Sequence, residues 1–69
     1  MLLDIGENME ENIVLTKHMS EEGGREATVK KRPDGKYLVV FHDNWDGVSF
    51  AKVYSHLQLA EDQAEDWVL

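Results

Sequence analysis

Pro33-Asp34-Gly35-Lys36-Tyr37-Leu38-Val39-Val40-Phe41-His42-Asp43 is the stretch on which the fold turns. It opens with turn formers. Asp-Gly between two alternating runs is the strongest short-range hairpin signal, because glycine accepts a positive φ without a Cβ clash. From Tyr37 onward the side chains alternate, with Tyr37, Val39 and Phe41 on one side and Leu38, Val40 and His42 on the other. Both sides are largely apolar, which predicts a central strand covered on both faces.

Upstream, residues 25–32 place Ala27 and Val29 opposite Glu26, Thr28 and Lys30, a second strand that pairs across the Asp-Gly turn. Glu21-Glu22-Gly23-Gly24 supplies a turn before it. Residues 12–20 are rich in β-branched and apolar types and read as a further strand. Strict alternation puts Ile13, Leu15 and Met19 on one side and Val14, Thr16 and His18 on the other. Downstream, Asn44-Trp45-Asp46-Gly47 is a turn. The chain then returns from Val48 to Ser55 with Val48, Phe50 and Tyr54 on one side and Ala51 and Val53 on the other.

The last segment changes period. Leu57, Ala60, Ala64, Trp67 and Val68 recur at helical spacing. Ser55 with Gln58 has the spacing of a capping box. Small Ala60 and Ala64 let a helix lie close on a sheet, and Trp67 is expected to pack against the side carrying Tyr37, Val39 and Phe41. The expected fold is α+β: a three- or four-stranded antiparallel meander followed by a C-terminal helix packed on one sheet face. Residues 1–11 read as a loosely ordered acidic arm and residues 12–69 as a single domain.

Composition narrows the function. The 69 residues carry seven Lys and Arg against fourteen Asp and Glu, a formal charge of −7. An acidic chain lacks the basic footprint of a direct nucleic-acid binder. There is no cysteine, so disulfides and thiolate metal sites are excluded. No zinc spacing and no glycine-rich phosphate loop is present, and neither metal nor cofactor is expected. The chain has no apolar run of membrane-span length and no signal-peptide pattern, which predicts a cytoplasmic protein without a membrane partner. A core this small rarely supplies more than about 3–5 kcal/mol, and with no cysteine to staple it, oligomerisation is the staple that remains.

Charge is segregated along the chain. Residues 1–26 hold seven acids and two bases, residues 27–58 three acids and five bases, and residues 59–69 four acids and no base. Glu61, Asp62, Glu65 and Asp66 form like-charge i,i+4 pairs, each costing an isolated helix roughly 0.2–0.5 kcal/mol. They read either as a solvated face or as a carboxylate row matched to a basic partner. Lys30-Lys31-Arg32 reads either as a dock for the acidic helix of a second copy or as lysines protecting an edge strand. His42-Asp43 with His56 lacks a third ligand or a nucleophile at diagnostic spacing. Trp45, at a turn tip, either folds back on the core or anchors an interface. A single helix leaves the other sheet face uncovered. Val14, Leu38, Val40 and Val53 are expected there, forming a dimer face or one covered by the arm.

From Ala27 to Leu69, with its hairpin strand DGKYLVVF, a return strand and the acidic helix AEDQAEDW, the chain resembles small acidic phage-encoded proteins. The resemblance implies an inhibitor of host machinery, such as restriction, CRISPR or transcription complexes, and carries over no catalytic motif. The reading is a non-enzymatic protein-binding inhibitor of the anti-defence or anti-CRISPR type, acting as a nucleic-acid mimic in the host cytoplasm. Glu61, Asp62, Glu65, Asp66 and Trp45 would meet the basic surface of a host nucleic-acid-binding protein. The alternative is a structural or assembly protein that self-associates as a homodimer through the open sheet face.

Overall fold

A computed structural model describes residues 12–69, so the expected arm at residues 1–11 lies outside the described residues. Four strands, β1 (Ile13–Met19), β2 (Arg25–Lys31), β3 (Tyr37–Asp43) and β4 (Val48–Tyr54), precede one helix, α1 (Leu57–Val68). The strands form one antiparallel sheet in chain order, β1-β2-β3-β4. The expected α+β meander is the observed fold. The Asp-Gly turn closes as a three-residue loop. Gly35, at φ 90°, occupies the left-handed position, its N–H donating to the Arg32 carbonyl (3.1 Å) while the Arg32 N–H donates to Lys36 (2.8 Å).

α1 lies on one sheet face, chiefly over β2 and β3. The core between them is Ala27, Val29, Val39, Phe41, Ala60 and Ala64, flanked by Tyr37, Tyr54, Trp67 and Val68. The paired alanines bring the helix backbone close to the strands, as their size predicts. Among the described residues the largest wholly buried side chains are Val29 and Val39, so the core is shallow. Trp67 closes one end on the expected side of the sheet. Its ring meets Phe41 and Phe50 edge-on at 5.5 and 5.4 Å, and its indole N–H donates to the His42 carbonyl at 3.2 Å.

Three expectations are corrected. First, a bulge between Val14 and Thr16 breaks the alternation of β1. Thr16 and His18 pair with Val29 and Ala27 and so join Ile13 on the helix side, while Val14, Lys17 and Met19 take the other face. Second, the capping box does not form. His56 is the N-cap and makes no side-chain cap, while Gln58 Nε2 donates forward to Asp62 at 3.0 Å. Third, β2 is an interior strand, so Lys30 and Lys31 protect no edge. Alternation sends them to opposite faces, and Arg32 leaves the strand to pair with Asp34 at 2.9 Å. β3 is central, with α1 on one of its faces; on the other, Leu38 and Val40 are half-buried and no element among the described residues lies over them.

Candidate protein-binding surface

An antiparallel meander places alternate turns at the same end. The β1–β2 turn (residues 20–24) and the β3–β4 turn (residues 44–47) therefore sit side by side, and α1 runs back so that its C-terminus joins them. The turns are bonded to each other. The Asn44 N–H donates to the Gly24 carbonyl at 2.7 Å, and Asn44 Nδ2 donates to the Gly23 carbonyl and to Glu26 Oε2, both at 2.9 Å. Trp45 rests its six-membered ring on Gly24. A Cβ at position 24 would lie 2.7 Å from three ring carbons, so glycine is required there by close approach.

Asp43 sets the conformation that carries Trp45. Its Oδ1 accepts from the N–H groups of Trp45 (2.9 Å) and Asp46 (3.0 Å), and Arg25 Nε lies 3.5 Å from Oδ2. The Asp46 N–H, then the Trp45 N–H and the Arg25 charge, hold the carboxyl below its ordinary value against the opposing effect of burial. Arg25 also covers the Trp67 ring, 4.6 Å from its centroid, and donates to the Trp67 carbonyl at 3.3 Å. One cation thus ties β2, the β3–β4 turn and the end of α1 together.

Trp45 remains 68% exposed despite its seat on Gly24. One face of the indole rests on the neighbouring turn at Gly24 rather than on the core, and the rest is presented to solvent. Glu22, Asp46, Val68 and Leu69 share a hollow with it, and Glu21 lines an adjoining hollow that also includes Glu22, Val68 and Leu69. Sequence reasoning missed Glu21, Glu22 and Asp46 as members of this surface. The signal was available in the rule that alternate meander turns share an end.

The helix carboxylates divide. Asp62, Glu65 and Asp66 are exposed. Glu61 is turned inward to β1, where its Oε2 accepts from Thr16 Oγ1 at 2.7 Å and its Oε1 lies 2.8 Å from His18 Nε2. The sequence row is therefore three exposed carboxylates, one of them accepting from Gln58, and one that docks the helix. His42 and Asp43, adjacent on a strand, fall on opposite faces, and among the described residues no three metal-ligating side chains converge. No described helix is long and apolar enough to cross a membrane.

Comparison with protein-family models, curated proteins and solved structures yields no match.

A second concavity of about 270 Å³ runs between α1 and β4, floored by Phe41, Phe50 and Trp67 and rimmed by Lys52, Gln63 and Asp66. It exists because the helix is displaced toward β2, leaving Phe50 40% exposed. Val14, Leu38, Val40 and Val53, expected together on the open face, do share it: Val14, Leu38 and Val53 stand in one row across the strands, and Val40 lies in the next.

Proposed function

We propose that this chain is a non-enzymatic binding protein that presents an acidic, tryptophan-centred end to a basic surface of a nucleic-acid-binding protein and blocks that surface. The observation that carries the reading is Trp45, 68% exposed yet fixed in place by Gly24, Asn44 and Asp43, with Glu22 and Asp46 beside it. An indole held this way loses little freedom on binding and suits an anchor. Exposed Asp62, Glu65 and Asp66 on α1 extend the negative surface. Opposite charge on a partner speeds encounter and displaces a competing polyanion. Glu61 contributes by holding α1 against β1.

The resemblance to small phage-encoded inhibitors supports a host protein as the target. The test is competition. A basic host protein recovered with this chain is titrated with its own nucleic acid in the presence of wild type, Trp45→Ala, and Asp62→Lys with Glu65→Lys. Wild type should displace nucleic acid, more weakly as salt rises. Trp45→Ala should lose at least tenfold in affinity, and the double charge reversal should abolish displacement. Unchanged displacement by both variants would overturn the reading.

A further inference from the structure

The sheet face opposite α1 carries three rows of side chains across the strands. Val14, Lys30, Leu38 and Val53 form one end row. Lys17, Thr28, Val40 and Ala51 form the middle row, and Met19, Glu26, His42 and Ser49 the other end row. Among the described residues nothing lies over them. Val14 is 58% and Val53 44% exposed, an arrangement more usual in an interface than on a free surface.

The charges on this face have a symmetry of their own. Lys30 and Glu26 lie on the same interior strand, at equal distances either side of Thr28. A two-fold axis lying parallel to the sheet, at right angles to the strands and above Thr28 and Val40, sets β2 antiparallel over its own copy. Lys30 then faces Glu26 of the partner subunit, and the same pair occurs a second time by symmetry. The valines at position 40 meet at the axis. A two-fold axis along the strands would instead put Lys30 over leucine. Lys17 meets its own copy, but it lies exposed on the edge strand β1, where water and salt screen like charges.

The shallow core supplies the reason for a second copy. Among the described residues no side chain larger than valine is wholly buried, and the sequence has no cysteine. Stacking two sheets about 10 Å apart adds a second apolar layer to each.

From the self-complementary charge pattern of this face we infer that the chain forms a two-fold dimer by stacking its open sheet faces, with Lys30 paired to Glu26 of the partner subunit. The interface uses no side chain assigned above to face the partner, and only Glu26 is linked to that site, through Asn44; Lys30 and Val40 test the dimer independently of it. Sedimentation equilibrium on the full chain tests it, with circular dichroism to verify folding. Wild type should be dimeric at micromolar concentration. Lys30→Glu and Glu26→Lys, each alone, place like charges together twice and should weaken the dimer at least tenfold. An equimolar mixture of the two restores opposite charge in both pairs and should form a heterodimer, identified by native mass spectrometry. Glu26→Lys also removes an acceptor from Asn44, so Val40→Asp provides a disruption that touches neither charge and should be monomeric. A monomeric wild type, a dimer unaffected by Val40→Asp, or a mixture that fails to associate would overturn the assignment.

Discussion

Glu61 on the helix and His18 on the edge strand meet at 2.8 Å, Oε1 to Nε2, with the other carboxylate oxygen taken by Thr16. This contact reverses the naive expectation for a charge reversal on the acidic helix. Relieving like-charge repulsion with Glu65 would gain roughly 0.2–0.5 kcal/mol. Losing a partly buried, charge-assisted pair of hydrogen bonds costs more, on the order of 1 kcal/mol after allowance for solvent.

Glu61→Lys should therefore lower the melting temperature, while Glu65→Lys should leave it unchanged or slightly raised. Thermal denaturation of the two single variants side by side checks this. Equal melting temperatures would mean that Glu61 does not dock the helix.

Trp67→Ala should be close to unfolding. The residue is partly exposed, so the expected loss is about 2–4 kcal/mol, below that of a wholly buried tryptophan. Trp67→Phe keeps the edge-on contacts with Phe41 and Phe50 but loses the hydrogen bond to His42, and should cost about 1 kcal/mol. Urea denaturation followed by far-ultraviolet circular dichroism ranks the three proteins. A Trp67→Phe variant as weak as Trp67→Ala would place the importance of the residue in the indole N–H.

Gly24→Ala separates stability from binding. The new methyl group would occupy the seat of the Trp45 ring. Because the indole lies at an exposed turn tip, it can swing away at a cost of well under the ~3–5 kcal/mol available to a domain of this size. The variant should stay folded yet bind its partner several-fold more weakly, although Trp45 itself is intact. Near-ultraviolet circular dichroism reports the ring displacement. Full affinity with a displaced ring would show that the fixed position of the indole is irrelevant.

Asp43 predicts a pH dependence. Its folded-state value is depressed below the ordinary 3.8, chiefly by the Asp46 N–H and then by Trp45 and Arg25. A depressed carboxylate contributes its full stabilisation above the unfolded value and loses it as pH falls through the folded one. The melting temperature of wild type minus that of Asp43→Asn should be positive and flat above about pH 5 and shrink below about pH 4. A difference that stays constant to pH 2 would rule out this linkage.

The strands and helix were legible because their patterns are local: period two over Tyr37–Asp43, Asp-Gly before it, and helical spacing from Leu57 to Val68. The bulge at Leu15 was not, because an extra residue leaves no compositional mark and reveals itself only through partners on β2. The inward turn of Glu61 depends on that bulge, since strict alternation would have placed Thr16 and His18 on the far face from Ile13. The interior position of β2 followed from a fourth strand that the sequence left optional. Trp45 could be flagged as a turn-tip indole, but its seat on Gly24 required knowing that two turns remote in sequence are neighbours.

The sheet order, identical to the chain order, has a kinetic corollary. Every strand pair is a hairpin, so each pairing closes a short loop and carries a small entropic barrier. The Glu61 contacts to Thr16 and His18 are different, linking positions 45 and 43 residues apart. The sheet can therefore zip up hairpin by hairpin through local closures before the helix docks on it. The clasp between the helix and β1 is then the final closure, and the nascent sheet shows both faces to its surroundings until it shuts.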